Sequence, residues 1–204
     1  SPQRKTVKRA PRPAAVAEKP VPTPTPADPA AEQAKFDEAL AMTSAADRGA
    51  ALKTFLHDFP KSEHAGKAAE SFVTAQAIVG DERLQAGDTV GGIAAFKQAV
   101  EETPVPIPER RFTEIVSTFP ANLFYRGQRA AAIEIALTIE KKSVGDPKQL
   151  LDLAGFYLGI ESGSDAKRLA EAALAIDANS ATAYQTLGLA DRLDFDLEGS
   201  AKAY

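Results

Sequence analysis

The sequence predicts an all-α chain assembled from repeated helix pairs, and three observations carry that prediction. From Pro147 to Tyr204 the chain passes twice through one pattern, at a period of about 34 residues, which marks a helical repeat array. Leu150 returns as Tyr184, Leu153 as Leu187, Ala154 as Gly188, Ala166 as Ser200 and Ala170 as Tyr204. Large residues (Leu153, Tyr157, Tyr184, Leu187) alternate with small ones (Ala154, Ala166, Ala170, Ala173, Gly188), as two helices require if a bulky side chain on one is to fill a gap on the other. Apolar residues elsewhere recur three and four apart, and strand signals are almost absent.

Residues 1–30 hold eight of the 14 prolines and carry no aromatic residue, Leu or Ile. Such a stretch cannot bury enough apolar surface to offset its chain entropy, so it is expected to be a disordered, Pro-rich basic linker. Its Pro-Thr-Pro-Thr-Pro run favours polyproline II, with a reach of roughly 90 Å at about 3.1 Å per residue. A ligand for a Pro-binding module and a basic surface-binding arm are the other readings of the same residues.

Residues 31–204 are expected to form the repeat domain, in units of about 31–61, 62–104, 105–146, 147–180 and 181–204. Asp28-Pro29 is a suitable N-cap and first-turn pair for the opening helix, with Phe36, Leu40 and Met42 on or near one face. A second helix from Ala45 to about Phe59 spaces Leu52, Phe55, Leu56 and Phe59 three to four apart and stops at Pro60. Ser62 opens a long helix through Phe72, Ala75 and Val79 that ends near Gly87-Asp88, and its partner runs from about Val90 to Glu102.

Between Pro104 and Gly127 the register breaks. The step from Gly92 to its counterpart Ala132 is longer than one period, and the excess sits around Pro104-Val105-Pro106-Ile107-Pro108. A short helix from Glu109 to Ser117 and a turn at Phe119-Pro120 are expected where a regular first helix belongs, so unit 105–146 is predicted to be irregular. Its second helix returns in register, with Ala132, Ala136 and Ile139 each one period before Ala166, Ala170 and Ala173. The chain begins with Ser and stops within an expected helix at Ala203-Tyr204. Both ends therefore read as cut, the last unit as truncated, and its apolar face as a candidate route to self-association.

Leu187-Gly188 with Tyr184, Ser200 and Tyr204, and Leu153-Ala154 with Leu150, Tyr157, Ala166 and Ala173, resemble the tetratricopeptide repeat. So do Val79-Gly80, Gly87-Asp88, Gly92, Phe96, Ala99 and Pro104, and the resemblance covers roughly residues 45–204. It implies a right-handed superhelical stack of antiparallel helix pairs, a tetratricopeptide-like α-solenoid. The Phe59-Pro60-Lys61-Ser62 junction followed by Ala65, Ala68 and Ala69 resembles helix junctions in tetratricopeptide proteins of the bacterial envelope. A periplasmic location is the expectation drawn from it, with the cytoplasm as the alternative.

Composition excludes several kinds of chemistry. With no cysteine, disulfides and thiolate metal sites are ruled out. Six basic against two acidic side chains in residues 1–30 leave residues 31–204 with 18 basic and 26 acidic ones, and an acidic body argues against nucleic acid as its main ligand. No apolar run approaches the length of a membrane span. The two histidines, His57 and His64, stand on either side of Pro60 with no carboxylate completing a ligand set, and no Gly-x-Ser-x-Gly elbow accompanies them. Gly87-Asp88-Thr89-Val90-Gly91-Gly92 lacks the Lys-Ser/Thr of a phosphate loop and reads as a helix–helix turn. Glu101-Glu102, Asp191, Asp194 and Asp196 read as solvated helix faces. Arg110-Arg111 and Lys141-Lys142 read as surface or helix-end charges, the lysines favoured by the C-terminal dipole of their own helix. No catalytic residue, cofactor or metal is expected.

Binding is expected on the concave side that the resemblance assigns to the first helix of each pair. Lys148, Leu151, Gly155 and Leu158 would face it from one unit, and Thr182, Gln185, Leu189 and Arg192 from the next. Thr74, Ala77, Asp81 and Leu84 would do so from the earlier matching unit. Repeats that clamp a C-terminal carboxylate need Lys and Asn where this chain has Leu151, Gly155, Gln185 and Leu189, so that use is not expected. The predicted function is a non-catalytic scaffold holding a partner protein or peptide of unspecified identity. The alternatives are a regulatory or substrate-recruiting region of a longer enzyme, and a purely structural self-assembling array.

Overall fold

A computed structural model describes residues 29–195 together with 202 and 203. Apart from Pro29 and Ala30, the expected linker lies outside the described residues, as do the expected cap Asp28, Asp196, and the repeat positions Ser200 and Tyr204. All regular structure among the described residues is helical, and the helices pack in sequence-adjacent pairs.

α1 (Pro29–Ala41) and α2 (Ala45–Asp58) form the first pair. Ser44 caps α2 by accepting from the Asp47 amide at 3.3 Å, and Phe59-Pro60 ends it, since Pro cannot continue the amide ladder. α1 buries Phe36 and Ala39 only. Leu40, expected on or near the face that carries Phe36, is exposed, because α1 packs chiefly against α2 and only a narrow stripe of it is covered. His64 stacks on Phe36 with ring centroids 5.0 Å apart.

α3 (Ala65–Gln85) has 21 residues, about 31 Å of helix at 1.5 Å per residue, and it joins two cores. Ala68 and Phe72 complete a cluster with Phe36, Ala39, Leu52 and Phe55. Val73 and Leu84 belong to a much larger cluster that runs through Phe96, Phe119, Ile135, Leu153, Tyr157 and Leu169 to Ala190. α4 (Thr89–Glu102) packs closely on α3 because two glycines line their contact. A Cβ on Gly80 would strike the Phe96 ring, and one on Gly92 would lie 2.5 Å from Leu84 Cγ and 3.0 Å from the Gly80 carbonyl.

The third unit differs from expectation. Glu109–Arg111 (α5) leads through a π-helical turn, Phe112–Val116, into α6 (Thr118–Tyr125), so Phe119-Pro120 is not a turn but the buried start of a helix. Pro120 is tolerated there because amides in the first turn have no intrahelical acceptor. Val116, Phe119, Pro120 and Leu123 stand one repeat period before Leu150, Leu153, Ala154 and Tyr157, and all eight are buried. The unit therefore keeps the repeat register in its packing, and its additional residues are taken up before α6.

That extra segment, which includes a cis Val105–Pro106 bond, is fastened by side chains from other helices. Lys142, at the end of α7 (Arg129–Lys142), donates from Nζ to the carbonyls of Glu101 at 2.9 Å and Thr103 at 2.8 Å. The lysine thus serves the C-terminus of α4 rather than only that of its own helix. Gln149 Nε2 donates to the Ile107 carbonyl at 2.9 Å while its Oε1 accepts from Ser143 Oγ at 3.0 Å. Arg111, expected on the surface, is half-buried and donates to Thr74 Oγ1 at 2.5 Å and to Glu70 at 3.2 Å.

α8 (Pro147–Gly159) starts with Asp146 accepting from the amides of Lys148 and Gln149 at 3.0 and 3.1 Å, and Pro147 takes the first helical position. It pairs with α9 (Gly163–Ile176), and α10 (Ala181–Leu193) packs on both. Asp191 corrects a further expectation. It is 2% exposed and held by Lys167 Nζ at 2.7 Å, where a solvated carboxylate was expected.

α3, α6, α8 and α10 all end the same way. Gly87, Gly127, Glu161 and Phe195 follow them with positive φ, at 85°, 79°, 59° and 61°, and the last three are spaced by one repeat period. After the first three, the next amide returns to a helix carbonyl: Asp88 to Arg83 at 2.8 Å, Gln128 to Leu123 at 2.9 Å and Ser162 to Tyr157 at 2.9 Å. This six-to-one closure needs a left-handed residue at the turn. Glycine supplies it twice, and Glu161 and Phe195 adopt it at a cost.

Candidate functional site

Helix geometry decides which expected binding residues come together. Leu158 lies in the last turn of α8, and Leu189, Arg192 and Leu193 lie along the last turns of α10. These four side chains surround an open depression of about 380 Å³ between the two helices. Leu189 is 42% and Leu193 38% exposed, so neither is spent on the core. Leu158 is half-buried against it. Arg192 is exposed and makes no side-chain hydrogen bond or ion pair among the described residues.

Gly155 and Gly159 on α8 are exposed, and a Cβ built on either meets nothing within 4 Å. At those two positions α8 is open enough for another chain to approach the helix backbone. By the repeat register, Phe124 and Tyr125 on α6 stand where Leu158 and Gly159 stand on α8. Tyr125 is 83% exposed, and Phe124 packs under the Arg129 guanidinium, 5.5 Å from its ring centroid.

The other expected residues lie elsewhere. Leu84 is a correction: it is buried against Gly92 between α3 and α4, so it cannot line a groove. Asp81 accepts from Asn122 Nδ2 at 2.5 Å, which ties α3 to α6. Leu151 is half-buried against the large core. Gln185 is exposed on α10, outside the depression. Lys148 is exposed at the start of α8 and is paired with Glu109. Their mutual hydrogen bond and charge hold the Glu109 carboxyl below, and the Lys148 ammonium above, their ordinary ranges. Burial raises the Asp152 carboxyl, against the opposing pull of Lys148.

A second cleft, of about 500 Å³, opens between α3 and α5 and is lined by Glu70, Thr74, Pro108, Arg110, Arg111, Glu114 and Ile115. Its charges are already matched within the chain: Arg111 to Glu70, and Arg110 Nε to both oxygens of Glu114 at 3.0 Å. It works as a staple for the extra segment. Among the described residues no group of three or more His, Cys, Asp or Glu side chains could hold a metal, and no helix is long and apolar enough to cross a membrane.

Sequence reasoning missed that Phe124 and Tyr125 stand at the repeat positions of Leu158 and Gly159. The available signal was the spacing of Val116, Phe119 and Leu123, which match the buried positions of α8. The prolines at 104, 106, 108 and 120 concealed it by reading as breaks.

No protein-family model matches the chain, and no curated protein matches its sequence. Among solved structures it is similar to a crystal structure of MamA protein, with a TM-score of 0.42 and 16% identity over 86% of this chain and 87% of that one. It is similar also to a MamA RS-1 ArsTM double mutant, with a TM-score of 0.41 and 15% identity over 86% and 89% of the two chains.

Proposed function

We propose that this protein is a non-catalytic scaffold that holds a partner protein through the face formed by α8 and α10. The observation that carries the reading is the clustering of Leu158, Leu189, Arg192 and Leu193 around one open depression. Three leucines left partly in water by rigid helices, beside a guanidinium with no partner among the described residues, suit a surface kept for association. We further propose a bacterial envelope location, supported by the Pro-rich basic segment and the Phe59-Pro60-Lys61-Ser62 junction. Fractionation of cells expressing the full natural gene product checks that point, and recovery in the cytosol would reject it.

The binding reading is tested by capturing partners with the whole chain and with Leu158→Asp and Leu189→Asp variants of unchanged helicity. A partner retained by the parent and lost by both variants supports it. Amides of α8 and α10 should then exchange more slowly in the complex than in the free protein. Equal capture by all three baits would move the function off this face.

A further inference from the structure

We draw no further inference here: the strongest candidate, the depression of about 460 Å³ between the extra segment and the turn from α7 to α8, lined by Pro106, Val144 and Pro147 among others, carries nothing, because Lys142, Ser143 and Gln149 in its wall are already engaged in fastening that segment and nothing in the structure shows what covers it.

Discussion

Glu161 and Tyr157 show how single residues are held by the repeat at positions that do not suit them. Glu161 sits at φ 59° because the closure from Ser162 to Tyr157 demands a left-handed residue, and its Cβ makes that conformation costly. Glu161→Gly is expected to stabilise the chain by about 1 kcal/mol, and Gly127→Ala to destabilise it by about as much. Urea titration of both variants checks the pair, and a loss in Glu161→Gly would mean the carboxylate has a favourable role of its own. Tyr157 is wholly buried, and its hydroxyl has no hydrogen-bond partner among the described residues. Burial pushes that hydroxyl up to about 12, with the nearby Asp165 and Glu140 adding to the effect. An acid whose folded value is raised contributes stability that is fully present below its unfolded value near 10. That contribution is lost as pH rises from there through 12. Tyr157→Phe should therefore leave stability at neutral pH unchanged or raised by about 1 kcal/mol and should flatten the fall above the ordinary tyrosine value. A loss of more than about 1 kcal/mol on this change would reveal a partner for the hydroxyl.

At the scale of the element, the informative feature is a helix end closed by another helix. α4 ends at Glu102, and Lys142 of α7 reaches the carbonyls of Glu101 and of the capping Thr103 from 41 and 39 residues away. A cation at a helix C-terminus meets both the free carbonyls and the negative end of the dipole. Lys142→Met keeps most of the aliphatic stem and removes the donors. It is expected to cost about 1–2 kcal/mol and to quicken amide exchange in the last turn of α4 while leaving α8 as it was. Unchanged exchange in α4 would show that solvent serves those carbonyls equally well. The neighbouring α6 explains why the third unit reads as irregular from sequence. A proline in a first turn and a π-helical turn look like a broken helix to any local rule, yet Val116, Phe119 and Leu123 are buried at the repeat spacing.

On the scale of the molecule, stability is divided along the stack. The cluster around Phe36, Phe55 and Phe72 and the larger one from Val73 to Ala190 meet along α3. Chains in which each unit touches its neighbours alone unfold in parts. Phe55→Ala should remove about 3–5 kcal/mol from the first pair. Hydrogen exchange should then show α1 and α2 opening without the rest, while α8 and α9 keep parental protection. Global loss of protection would mean that α3 transmits the damage and that the two cores act as one.

Sequence alone determined the all-α class, the repeat period, the end of α2 at Phe59-Pro60 and the helix–helix turn at Gly87-Asp88. Each of these depends on residues within about one helical turn or on a repeat that can be counted, so linear order suffices. Only the tertiary structure decided that Asp191 and Arg111 are drawn out of solvent, that Lys142 closes α4, that Leu84 is core, and that Leu158 shares a depression with Leu189 and Arg192. Those outcomes turn on a partner 24 to 41 residues away, or on which side of a helix the next pair covers. A charged side chain on a helix carries no local mark of whether its partner will be water or a side chain from the next helix.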